Sequence, residues 1–184
     1  MSVNTLNFPP VSHVGKGSLQ NLVHEVEKYS PNHVLIITDP VLEENGVLNL
    51  IKDPLIKADY QVSVFNEVLP EPSLELGEKV VDYVRKSNCD LIIGLGGGSA
   101  LDLAKAAAVI SVHEGELKNY LNLTGNLKVK SKGLPKILIP TTSGTGSEVT
   151  NISVFSLGNT KDVIADNRLL ADVAIVDSDL TLTM

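Results

Sequence analysis

The sequence has one cysteine, Cys89, so no internal disulfide can form. The cytoplasm is the default compartment for such a chain. Cys89 sits just before an apolar segment, where an inert buried thiol is expected. A basic surplus is also lacking. Fifteen Lys and Arg residues face twenty-two Asp and Glu, a net charge of −7, which disfavours a nucleic-acid partner. No long apolar run exists. The longest is five residues, Ala106 to Ile110, where a membrane-crossing helix needs ~20, so no membrane partner is expected. No basic residue precedes Lys16 and no apolar leader core is present, so no secretory signal is expected. The four histidines, His13, His24, His33 and His113, show no metal-ligand spacing, and no metal ligand is assigned. Ser99 and Ser147 both fail the Gly-x-Ser-x-Gly elbow, and no Gly-x-x-x-x-Gly-Lys-Ser/Thr loop occurs.

The 184 residues that are there, 43% hydrophobic and 20% charged, match a globular chain of about one domain. Leu19, Leu22, Val23 and Val26 keep helical spacing behind Ser18, which reads as an N-cap. Val34–Ile37 reads as a buried strand ending at Thr38-Asp39-Pro40. Val47–Lys57 looks helical despite Pro54, and Tyr60–Val64 alternates as a half-covered strand does. Ser73 precedes a helix with Leu76, Val80, Val81 and Val84 on one face. Its acids come early and its bases late, as the helix dipole favours. Leu91–Leu95, Lys136–Ile139, Ile152–Phe155 and Val173–Val176 read as further strands, and Ser99 to about Val112 as a helix. Gly115–Gly133 reads as a solvated loop with one short helix. Strands that are apolar throughout, alternating with helices, predict a parallel α/β sheet covered on both faces.

Three loops carry the chemistry. The strand Leu91–Leu95 runs into Gly96-Gly97-Gly98-Ser99 and then directly into a helix. A helix N-terminus offers unpaired amides, and glycine lets a phosphate reach them. The alternative is a tight strand–helix turn, but four glycines in the five positions 94–98 exceed what a turn needs. Asp102 stands three residues after Ser99, so it reads either as part of a capping box or as a site carboxylate. Asp39 follows an earlier strand and reads either as an Asp-Pro turn residue or as a ribose-binding acid. In a parallel sheet the C-terminal strand ends share one edge, so Asp39 meets the glycine loop if their strands are neighbours. There it would accept from a ribose 2′-hydroxyl and repel a 2′-phosphate, favouring NAD over NADP. After the strand Lys136–Ile139 come six hydroxyl side chains in the ten residues Thr141–Thr150, suited to a polar, mostly neutral ligand.

Together, Gly96-Gly97-Gly98-Ser99-Ala-Leu-Asp102-Leu-Ala-Lys105 and Pro140-Thr-Thr-Ser-Gly-Thr-Gly-Ser-Glu-Val-Thr150 resemble the iron-containing (group III) alcohol dehydrogenase family. Thr38-Asp39, Pro70-Glu71-Pro72, Lys161 and the segment Ala174–Met184 follow the same pattern in order. The resemblance covers nearly the whole chain. It implies a Rossmann-like α/β domain over 1–184 that binds NAD, with NADP disfavoured. It places Asp39 on the adenosine ribose and Gly97, Gly98 and Ser99 on the pyrophosphate. Asp102, Thr141, Thr142 and Thr145 would line the nicotinamide side, and Lys161 would reach a ribose. Two positions depart from the family. Ala100 stands where proline is usual, and Glu71 stands where many members have asparagine.

In the family a helical domain follows, with one aspartate and three histidines holding a divalent metal such as iron or zinc. By resemblance this chain ends where that domain would begin, and the 184 residues alone are expected to be inactive. The implied function is the cofactor-binding part of an NAD-dependent, metal-dependent alcohol dehydrogenase. Its substrate would be a small alcohol, aldehyde or ketone, and the protein a cytoplasmic homo-oligomer. The alternative is a non-catalytic nucleotide-binding or interaction module; a stable monomer without an exposed apolar patch would favour it. A third reading, a phosphate-binding domain for another ligand such as a sugar phosphate, would bind phosphosugars but not NADH.

Overall fold

In the computed structural model residues 6–182 are described, so the first five residues and the last two of the segments quoted above lie outside them. The elements are β1 (Val11–Val14), α1 (Leu22–Glu27), β2 (His33–Ile37), α2 (Pro40–Glu44), α3 (Val47–Lys57) and β3 (Gln61–Phe65). There follow α4 (Leu74–Ser87), β4 (Leu91–Gly96), α5 (Gly98–Ile110), β5 (Lys136–Pro140), β6 (Ile152–Leu157), β7 (Thr160–Ala165) and β8 (Val173–Val176). Six strands form one sheet in the order β1-β8-β5-β4-β2-β3, and every pairing in it is parallel. This is the parallel α/β sheet that the alternation predicts, in the Rossmann-like form that the resemblance implies.

The pleat divides the core in two. Leu35, Ile37 and Ile92 point to the face covered by α4 and α5. Val34, Ile36, Leu91 and Ile93 point to the face covered by α1 and α3. The helix α5 is buried from Ala100 to Ile110. It therefore has no polar face of its own, which is why its sequence is apolar nearly all round. The helix α4 is one-sided, and Ser73 Oγ accepts from Leu76 N at 3.2 Å as its cap. The helix α3 runs through Pro54, as its spacing predicts. Cys89 is buried, and burial pushes its thiol pKa up, as befits an inert residue. No helix among the described residues is long and apolar enough to cross a membrane.

The strand order places the ligand edge. The chain goes from β2 outward to β3, then crosses back to lay β4 on the other side of β2. In open α/β sheets a crevice forms outside the strand ends at such a reversal. The loop after β2 carries Asp39 and the loop after β4 carries the glycines. The neighbour condition on these two strands is met, with Ile37 opposite Gly94.

Two local expectations are corrected. Ser18 is not an N-cap: residues 18–21 form a 3₁₀ turn after Gly17, and its hydroxyl makes no capping bond. Asp177, at the end of β8, takes that role from across the sheet, accepting from Gly17 N at 3.1 Å and Leu19 N at 2.9 Å. The segment Ile152–Phe155 is a strand, but it lies outside the parallel sheet. It pairs antiparallel with β7, which the sequence reading missed along with β1 and α2. The signal for β7 was the Gly158-Asn159 pair, a two-residue hairpin turn between residues that face each other, Leu157 and Thr160.

Gly94 in β4 marks where α5 lies against the sheet. A Cβ there would sit 2.7 Å from Ala104 Cβ and 2.8 Å from Leu138 Cδ2. The Gly94→Ala substitution is expected to cost about 1–3 kcal/mol by overpacking, read as a lower urea midpoint. An unchanged midpoint would show that α5 can shift off β4 freely.

Candidate functional site

The glycine loop is held open at its helix end. Gly96 has φ 140°, and Gly97 is the N-cap of α5 without any side-chain cap bond. The first-turn amides of α5 thus keep no side-chain partner, at the positive end of a thirteen-residue helix. Close packing explains the glycines. A Cβ at Gly96 would lie 3.2 Å from Asp39 Oδ2, one at Gly97 3.3 Å from Thr142 Cγ2, and one at Gly98 3.0 Å from Thr145 Cγ2. The loop is wedged between the β2 exit on one side and the threonine-rich loop on the other.

Asp39 is a helix cap and not only an Asp-Pro turn residue. It is the N-cap of α2, with Oδ1 accepting from Leu42 N at 3.0 Å. Its Oδ2 lies on the side of the glycine loop.

Asp102 makes no capping box with Ser99, because Gly97 and not Ser99 caps α5. Its carboxylate reaches across to the other loop instead. It accepts from the Ser147 hydroxyl and from Val154 N at 3.0 Å. It also forms an ion pair with Lys105 Nζ at 2.9 Å.

Lys105 is the residue that sequence reasoning quoted within a motif but did not single out. It is fully buried. Its ammonium donates to Ser147 O at 3.0 Å, to Thr150 Oγ1 at 3.1 Å and to Ile152 O. Burial pushes its pKa down, against the opposing pull of Asp102 and Glu148. The available signal was a lone cation, three residues after an acid, on an otherwise apolar helix.

Two clefts flank Ser99. The first, of about 420 Å³, is lined by Gly98, Ser99, Asp102, Thr145, Lys161 and Glu71 among others. The second, of about 270 Å³, is lined by Asp39, Gly97, Ser99, Thr141 and Thr142, with Val41, Leu69 and Pro70 as apolar wall. All nine candidate residues therefore line one cleft or the other. Thr141 and Thr142 fall in the Asp39 cleft, whereas Thr145 falls with Asp102. Lys161, on β7, donates to Glu71 Oε1 at 3.1 Å. Among the described residues no group of three or more His, Cys, Asp or Glu side chains is arranged to hold a metal ion.

The family model described as "Iron-containing alcohol dehydrogenase" matches residues 9–178. Long-chain-alcohol dehydrogenase 1 of Geobacillus thermodenitrificans is 58% identical over 184 residues, which are 100% of this chain and 47% of that protein. The crystal structure of a 1,3-propanediol oxidoreductase superposes with a TM-score of 0.91 at 27% identity, covering 100% of this chain and 48% of that one. The sulfoacetaldehyde reductase of Bifidobacterium kashiwanohense, solved in complex with NAD+, superposes with a TM-score of 0.87 at 31% identity, covering 98% and 48%. The chain thus spans about half the length of the relatives it matches.

Removing Lys105 leaves Asp102 buried without its counter-charge. The Lys105→Met substitution is expected to cost about 3–5 kcal/mol, read by urea denaturation. The double variant Asp102→Asn, Lys105→Met is expected to recover part of that loss. If the single variant kept the parent's stability, the pair would not be what joins α5 to the loop.

Proposed function

Because the chain belongs to the iron-containing alcohol dehydrogenase family, we propose that it binds NAD across the two clefts and supplies the cofactor side of an alcohol dehydrogenase. The reaction is hydride exchange between a small alcohol and its aldehyde or ketone. The observation that carries this reading is the convergence of all nine candidate residues on the strand-order reversal, with Ser99 shared by both clefts. The residues fit the dinucleotide. An uncapped helix start behind closely packed glycines suits a diphosphate, whose charge the amides of Gly97, Gly98 and Ser99 would meet. Asp39 Oδ2 would accept from the adenosine ribose, with Thr141 and Thr142 beside the diphosphate. Asp102, Thr145 and Lys161 would border the nicotinamide half.

When bound, the nicotinamide accepts or returns the hydride. The chain's own residues orient it. Asp102 is locked by Ser147, Val154 and Lys105, so it presents a fixed wall to the cleft. The described residues hold no group of His, Cys, Asp or Glu side chains that would fit the metal named in the family's description.

The same reading makes residues 1–184 one dinucleotide-binding domain of a cytoplasmic homo-oligomer. Its support is the single buried thiol and the outer edge of β1, which has no strand partner among the described residues.

Binding of NADH and NADPH, followed by nicotinamide fluorescence, tests the reading. NADH is expected to bind more tightly than NADPH, and Asp39→Gly to bring the two affinities together. The substitution costs only a few tenths of a kcal/mol as a helix cap, so the fold survives it. A parent chain that binds neither nucleotide overturns the function. A NADH/NADPH ratio that Asp39→Gly leaves unchanged overturns the role of Asp39.

A further inference from the structure

One segment borders both clefts. Val68, Leu69 and Pro70 line the Asp39 cleft, and Glu71 and Pro72 line the Asp102 cleft. At their junction Glu71 has φ 53°, a left-handed conformation that an L side chain rarely adopts. It is held there between Pro70 and Pro72, whose rings fix their own φ. The segment is also tied to β6, since Ser156 N donates to Pro72 O at 2.9 Å and Ser73 bridges Ser156. The backbone therefore aims the carboxylate at the mouth of the cleft, where it accepts from Lys161 Nζ at 3.1 Å.

Both side chains are exposed, 73% for Glu71 and 55% for Lys161, so the pair adds little to stability. Its effect is on local charge. Lys161 is the sole cation among the residues that line the Asp102 cleft. The other charged groups there are Glu71 and Asp102, and Asp102 is already matched by the buried Lys105. Without Glu71, an unpaired ammonium would stand beside an anion-binding helix start. That combination attracts any small phosphate. With Glu71 present, the pair offers one donor and one acceptor side by side. Two neighbouring neutral hydroxyls satisfy both, whereas a phosphate anion, even where it keeps a proton to donate, brings its own negative charge against the carboxylate and is repelled by it.

We propose that Glu71 is a specificity-determining residue, pairing with Lys161 so that the Asp102 cleft favours the vicinal hydroxyls of a ribose over free phosphate anions. The inference rests on the nucleotide reading above and extends it to discrimination between ligands.

The test uses inorganic diphosphate as a competitor of NADH in the parent, Glu71→Gln, Lys161→Ala and doubly substituted proteins. In Glu71→Gln, diphosphate is expected to bind about three- to tenfold more tightly, an effect of charge that 500 mM salt should largely remove. NADH affinity is expected to stay level or weaken, so selectivity for NADH falls. In the Lys161→Ala background the Glu71 substitution is expected to change selectivity clearly less than in the parent, since direct repulsion by the carboxylate remains but no cation is left to release. Glu71 is exposed, so the fold is not at risk. Unchanged selectivity in Glu71→Gln overturns the proposal, as does a loss of equal size in the Lys161→Ala background. NADH binding by the parent separates these results from failure of the nucleotide reading itself, which takes this inference with it.

Discussion

The site depends on one buried ion pair. Asp102 and Lys105 lie one turn apart on α5, and between them they hold Ser147, Thr150, Ile152 and Val154. Those four residues are the end of the threonine-rich loop and the start of β6. Without the pair, nothing polar would tie that loop to the helix whose N-terminus it flanks. Burying two charges is costly, and an apolar contact could have held the same elements. An apolar contact would slide, however, whereas a carboxylate and an ammonium that between them bind four residues fix one position. The register matters because Thr142 and Thr145 come within 3.3 and 3.0 Å of the Cβ positions of Gly97 and Gly98. A shift of an ångström would close the glycine loop or open it to water.

Sheet topology supplies the other half of the geometry. The reversal between β2 and β4 leaves a crevice that no helix can fill from either side. Gly94 lets α5 settle against β4 and β5, which brings its first turn to the edge of that crevice. Asp39 reaches the crevice because it caps α2 with one oxygen and leaves the other toward the loop. Capping α2 thus occupies one oxygen of the carboxylate and leaves the other available to the proposed ligand.

How legible each feature was in the sequence follows its range. Elements set by local periodicity were readable. The one-sided α4 and its Ser73 cap came through, as did α3 across Pro54 and the uniformly buried β2, β4 and β5. Features set by distant partners were not. Ser18 has the chemistry of a cap, but Asp177, far along the chain, satisfies those amides. Ser99 and Asp102 have capping-box spacing, but tertiary contacts claim Asp102. The strand β7 is polar at three of its six positions, Thr160, Lys161 and Asp162, so only its turn betrayed it. The site was legible as a set of loops because glycine, hydroxyl and acid clusters are local. Its division into two clefts was not, since that depends on which strand lies beside which. Lys105 was hidden for the same reason: its place as a lone cation on an apolar helix hinted at burial, but the partners that make it structural lie far along the chain.

For a protein of net charge −7 the proposed diphosphate poses an electrostatic problem, which the site would solve without an unpaired surface cation. Lys105 is turned inward and matched by Asp102, and Lys161 is matched by Glu71. What remains for the phosphates is the backbone: amides at the start of α5, whose partial charge is fixed in direction and does not attract every passing anion at a distance. The acids Asp39 and Glu71 stand on either side of that start, in different clefts. A carboxylate beside an anion site is unfavourable unless the ligand brings donors to it. A ligand with neutral hydroxyls flanking a central diphosphate would do so at both ends, whereas a bare phosphate would bring its own negative charge up to the carboxylate. On the proposed reading the acidic surroundings are part of the recognition: the amides would set where the charge goes, and the two carboxylates would decide which charged molecules are admitted.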